Sequence, residues 1–183
     1  MKRKRLFIII AVSIAAAAVL ALAVFTAWRA GAFLPGWIRW QNGQASGNEP
    51  LICLENKKVT VFSDGDQVAW ESPEGVLVQD ALFEDIDSDG ERELMLLCWK
   101  IGRYGKVKPK FGAPEVNRWV QHIYIYDWRE RSIHAIWMAS DIGLDVESWS
   151  FDEGKLALKE PSGKESKWAW YDWGLELSEE VKK

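Results

Sequence analysis

Hydrophobic and polar positions along this chain follow two regimes. Residues 6–27 carry no charge and no Pro, and this run of 22 follows Lys2, Arg3, Lys4 and Arg5. As a helix it spans about 33 Å, enough for a bilayer core of about 30 Å. Beyond residue 50 the pattern changes to short apolar or alternating stretches, cut by Gly, Pro, Asn and Asp. That pattern predicts strands and turns. Strands are predicted over 51–55, 59–62, 67–71, 76–83, 93–100, 122–128, 132–139, 145–151 and 155–159. A last strand or strand pair covers 167–177. No long segment after the first run has helical periodicity. Residues 41–50 read as a polar linker and 178–183 as a frayed polar tail.

The order of strands repeats. Residues 59–97 and 123–158 each give strand, turn, strand, gap, strand, turn, strand. Trp70 in the first stretch matches Trp137 in the second. The chain therefore divides into a basic N-terminus (1–5), a transmembrane helix (6–28), a juxtamembrane linker (29–50), a β domain (51–177) and the tail. Within the domain, units of about 51–100 and 122–177 flank the segment 101–121. Four strands per unit is the size of a propeller blade, and two blades do not close a ring. The expected fold is an all-β domain of propeller-blade-like, antiparallel four-stranded units, arranged as an open two-sheet structure behind one transmembrane helix.

Charge gives the span a direction. Four cations precede it and Arg29 follows, so the positive-inside rule puts the N-terminus in the cytoplasm and the β domain outside the plasma membrane. The alternative is a cleaved signal peptide, with small residues such as Ala21 and Ala23 near a cleavage point. Trp28, Trp37 and Trp40 follow the span as an interfacial belt or as ordinary packing. Residues 30–183 hold all 27 acids and 18 of the 23 bases, a net charge of −9 against −4 for the whole chain. Such a domain does not suit nucleic-acid phosphates. Twelve Trp in 183 residues point to cores built from aromatic side chains, with sugar stacking as the other use of an exposed indole. Cys53 and Cys98 both fall in predicted strands. Outside the cell they can pair, closing a loop of about 45 residues worth about 4 kcal/mol, or stay as buried thiols.

One loop carries inorganic chemistry. Residues 85–93 read Asp-Ile-Asp-Ser-Asp-Gly-Glu-Arg-Glu. Carboxylates that alternate this closely repel one another unless a cation sits among them. Calcium is a hard cation that takes six to eight oxygens. Gly90 lets the backbone turn where a side chain would collide. Asp85, Asp87, Asp89 and Glu93, with the carbonyl of Glu91, are the expected ligands. An EF-hand needs a bidentate Glu at loop position twelve, and that place is Leu96. The loop is therefore a strand-to-strand turn. A metal-free acidic turn is the alternative.

These residues carry a resemblance. Val59-Thr60-Val61-Phe62, Trp70 and the run from Asp85 to Leu94 resemble an FG-GAP or VCBS-type repeat, the blade of integrin-α-like β-propellers. About 42 residues match well, and the second unit matches in outline. In that family the acidic loop joins two strands of a blade and binds calcium. The resemblance implies that role for Asp85, Asp87, Asp89 and Glu93, although Glu93 stands where the family more often has Asp. The second unit lacks the acids at residues 152–155, which implies no metal there.

Segment 101–121 breaks the strand pattern with Gly, Pro and bases. Arg103, Lys106, Lys108, Lys110 and Arg118 are interleaved with Tyr104, Phe111 and Trp119. It is a contact surface for an anionic envelope polymer, lipid headgroups or an acidic protein, or else an insertion that pairs with the domain's own acids. His122 and His134 lie in predicted strands without a nucleophile motif, and no P-loop, G-x-S-x-G or H-E-x-x-H is present. The expected function is a membrane-anchored, extracytoplasmic binding module with a calcium-stabilised hairpin, and no catalytic residues are assigned. The alternatives are a glycan-binding or glycan-active envelope protein, and an accessory subunit of an envelope complex.

Overall fold

The computed structural model describes residues 2–46, 50–63, 67–105, 110, 112–139 and 141–181. Helix α1 (Lys2–Arg29) takes in the basic cluster as well as the apolar run. Apolar side chains lie on all its sides and are exposed, from Phe7 and Ile9 to Val24 and Phe25. A helix apolar all round suits lipid better than the surface of a soluble domain. Its part Ile9–Arg29 has the length and composition to cross a membrane. It ends where Gly31 takes a left-handed φ of 76° and the amides of Ala30 and Ala32 close on the last carbonyls. Met1–Pro35 form one compact unit and Gly36–Lys183 a second.

The second unit is all β. Its strands are β1 (Gly43–Ser46), β2 (Leu51–Glu55), β3 (Lys58–Ser63), β4 (Gln67–Glu71), β5 (Val76–Glu84), β6 (Glu93–Ile101), β7 (Trp119–Arg129), β8 (Ser132–Met138), β9 (Ser148–Asp152), β10 (Lys155–Lys159), β11 (Glu165–Tyr171) and β12 (Gly174–Val181). They form three antiparallel four-stranded sheets, β1–β4, β5–β8 and β9–β12, each a meander in chain order. The blade-like unit is confirmed, but its number and boundaries are corrected. Trp70 and Trp137 both stand in the last strand of a sheet, so the sequence repeat starts in mid-sheet. The two expected units, 51–100 and 122–177, each straddle a sheet boundary.

The middle sheet carries two cores. Leu94, Leu96 and Cys98 of β6 and Tyr124 and Tyr126 of β7 face Ile52, Leu54, Val59 and Val61 of the first sheet. Met95, Leu97, Ile123 and Ile125 point the other way, onto Val146, Trp149, Leu156 and Leu158. Side chains alternate across a strand, so a strand buried on both faces reads as one continuous apolar run. This is why residues 94–99 show no alternation. The outer face of the third sheet is polar. Lys155–Glu179 (2.6 Å) and Lys167–Asp152 (3.4 Å) bridge strands there, and the stack ends at that face.

A buried polar knot ties the middle sheet to the chain entering β9. Gln79 is the extra residue of a bulge between Val78 and Asp80, and its side chain is 1 % exposed. Its amide donates to the carbonyls of Val146 (3.2 Å) and Glu147 (3.0 Å). Its oxygen accepts from Trp99 Nε1 and Gln121 Nε2, both at 2.9 Å. Gln121 in turn accepts from the Val146 amide at 2.7 Å. A bulge re-aims a side chain, and here it turns a glutamine into the core with its donors and acceptor matched.

Two further expectations change, and the two alternatives given for the cysteines are decided. Residues 36–46 are not linker: β1 pairs with β2, Trp37 packs 5.9 Å from Trp99, and Lys57 Nζ lies 4.3 Å over the Trp40 ring. Trp37 and Trp40 thus pack on the domain. The tail is not frayed as far as Val181, because β12 pairs along β11. Cys53 and Cys98 are free, not bridged. Cys98 points into the first core, whereas Cys53 alternates out of it between the buried Ile52 and Leu54.

Candidate functional site

The acidic loop is the hairpin tip between β5 and β6. Ser88 and Gly90 have φ of 63° and 96°, left-handed values that coil the loop back on itself. The coil aims backbone amides at carboxylates. Asp85 accepts from the amides of Asp89 (3.1 Å) and Gly90 (3.0 Å). Asp87 accepts from Asp89 N at 3.2 Å, and Asp89 accepts from Glu91 N at 2.8 Å. One oxygen from each of Asp85, Asp87 and Asp89 lies within 4.8 Å of the others. These are Asx-type turns that orient all three acids inward.

Glu93 plays a different part from the one expected. It is 2 % exposed at the foot of the loop, and its Oε2 accepts from the Ile86 amide at 3.0 Å. It stands beside the three aspartates and is not among the converging oxygens. Burial raises its carboxyl to about 7, against the pull of the Ile86 amide, and repulsion from Asp87, Asp89 and Asp85 adds to the rise. The Asp87 carboxyl is raised too, first by desolvation and then by Asp89, Asp85 and Asp127. Asp127 is the acid that sequence reading missed. It lies opposite Glu93 in the β6–β7 register and binds Arg129 at 3.3 Å. Only that cross-strand register brings it near.

No family model, curated protein or solved structure matches this chain.

The donor set fits a hard cation. It is all oxygen, it is anionic, and the described residues add no His or Cys to it. Three carboxylates supply three to six of the oxygens calcium takes, and water can complete the shell because the tip is open on one side. Asp85, Asp87 and Asp89 would hold the ion. The Glu91 side chain is exposed, and its amide caps Asp89.

At the start of the basic segment, Arg103 is held by acids of the chain itself. Arg103 pairs with Asp141 at 3.3 Å, and its amide donates to Glu115 Oε1 at 2.5 Å. Tyr104 donates its hydroxyl to the Ala113 carbonyl at 2.8 Å, and Lys100 Nζ donates to the Tyr104 carbonyl. Trp119 is buried in β7, so it offers no contact surface. Lys110 and Arg118 are exposed. Lys106, Lys108 and Phe111 lie outside the described residues.

Of the two histidines, His122 is enclosed. Its Nδ1 lies 3.1 Å from the Ala139 carbonyl and its Nε2 3.2 Å from that of Gly102. Desolvation lowers its pKa below the usual 6.5. A neutral ring donates to one of these two carbonyls only, so His122 lies between the start of the basic segment and the chain leaving β8 with one hydrogen bond made.

Proposed function

We propose that this chain is a single-pass membrane protein whose β domain stands outside the plasma membrane as a binding module, with one calcium ion locking the β5–β6 hairpin. The reading rests on the convergence of Asp85, Asp87 and Asp89 within 4.8 Å at a strand-to-strand tip, as in the FG-GAP-type blade it resembles. Helix α1 supports the anchor, and the cations before it support the orientation. Calcium would supply positive charge where carboxylates crowd; the protein's part is to hold the loop in its coil. The loop joins β5 to β6 in the middle sheet, so fixing its tip stiffens the layer that carries both cores.

Calorimetric titration tests the site. The full-length chain, purified in lipid nanodiscs and stripped with chelator, should bind one calcium ion, and Asp87→Ala should abolish the heat. Equal binding by the two proteins would reject the assigned ligands.

A further inference from the structure

Between the second and third sheets lies an open cleft of about 390 Å³. Its walls are Trp137, Met138, Trp168 and Leu175, with Trp173 at the mouth and Asp141 at the rim. Small-molecule sites have this size and this mixture of apolar wall and sparse polar groups. Trp173 sits in the β11–β12 turn and is 81 % exposed, while Trp137 and Trp168 pack against the second core. The sequence puts a large flat apolar ring in water here, and folding gives it no cover. The Trp137 ring is fixed in place. Its Nε1 lies so close to Gly174 that a Cβ added there would sit 2.7 Å away. Trp137 also meets Trp170 edge to face at 6.4 Å.

Charge around the cleft narrows the ligand. Asp141 is only 14 % exposed and is paired with Arg103, so the rim is close to neutral. Asp141 and Leu144 also line a second, polar cleft of about 500 Å³, which holds Arg103 and Arg118 against Asp145 and Glu160. A cation would gain only the indole faces here, because the acid at the rim is already paired with Arg103. A polyanion would meet three carboxylates against two guanidiniums. A hydrocarbon would fill the aromatic cleft but leave the polar one unmatched. A saccharide satisfies both: the C–H face of a pyranose packs on an indole plane, and its hydroxyls donate to carboxylates and accept from guanidinium.

The geometry points to a neutral oligosaccharide as the ligand of this domain, stacked on Trp173 and Trp137 and running across Asp141 into the polar cleft. This deepens the reading of the domain as an anchored binding module, and it does not depend on the calcium loop.

Tryptophan fluorescence of the full-length chain in nanodiscs tests it, with β-1,4-linked N-acetylglucosamine hexamer and cellohexaose as probes and choline and polyphosphate as controls. At least one hexamer should quench fluorescence saturably. Trp173→Ala should weaken that binding about tenfold, the loss expected for one stacking anchor. Gly174→Ala, which pushes the Trp137 ring aside, should also weaken it. Trp173 is exposed, so Trp173→Ala should keep the parent melting temperature and calcium response. Failure of both hexamers at millimolar concentration, equal binding by Trp173→Ala, or binding of choline or polyphosphate alone would overturn the assignment. Such a failure with calcium binding intact would leave the staple standing; saccharide binding without any calcium binding would reject the staple alone.

Discussion

His122 shows how burial sets chemistry at a single side chain. Desolvation lowers its pKa most, and Lys100 lowers it further; the Ala139 and Gly102 carbonyls and Asp141 oppose them. The folded chain therefore keeps a neutral imidazole where the unfolded chain takes up a proton. Stability from this residue is fully present above the unfolded value near 6.5 and is lost as pH falls toward the depressed folded value. The slope contributed is at most about 1.4 kcal/mol per pH unit. Glu93, raised to about 7, acts with the opposite sign in this range, so the test is a difference: between pH 5 and 7.5 the parent should lose more stability toward acid than His122→Gln does, and identical pH dependence would contradict it. The cysteines give a second check. Burial pushes the Cys98 thiol far above its usual range, whereas Cys53 is half-buried on an outward face. Maleimide should add one label to the native protein, at Cys53, and a second only on unfolding. Two labels in the native state, or none in both states, would contradict the arrangement.

Strands show where sequence pattern carries information and where it does not. Residues 94–99 announce their burial on both faces by losing alternation, and every expected strand from 51 to 159 is present. Strand β1 escaped notice because Gly43-Gln44-Ala45-Ser46 has no pattern of its own; its strand character comes from pairing with β2. The end of β12 escaped because an edge strand facing water can be as polar as a tail. The aspartates of the acidic loop were legible because a loop of this kind is built from local spacing. The inward turn of Glu93 and the approach of Asp127 were not, because both depend on cross-strand register. Gln79 looked like any polar residue in a strand, and only the bulge makes it the centre of a knot. Gln79→Leu should orphan the Trp99 and Gln121 donors and cost about 2–4 kcal/mol. Leu97→Ala, which opens a cavity in the second core, should cost about 2–5 kcal/mol. Chemical denaturation measures both, and losses below about 0.5 kcal/mol, the range of ordinary surface substitutions, would contradict the two-core description.

The three sheets stack in chain order, with the acidic loop on the middle one and the aromatic cleft between the middle and the last. Neighbouring sheets share a core, so the domain is expected to unfold as one unit. Anchoring outside the membrane predicts that a membrane-impermeant maleimide labels Cys53 in right-side-out vesicles; labelling only after permeabilisation would reverse the assigned orientation. The most direct test is the melting temperature of chelator-treated, full-length protein with and without calcium. Calcium at 100 times its dissociation constant should stabilise the fold by about 2.7 kcal/mol. For a domain of this size that is a rise of roughly 5–10 °C, and Asp87→Ala should lose it. An unchanged melting temperature in the parent, or an equal rise in Asp87→Ala, would contradict the calcium staple.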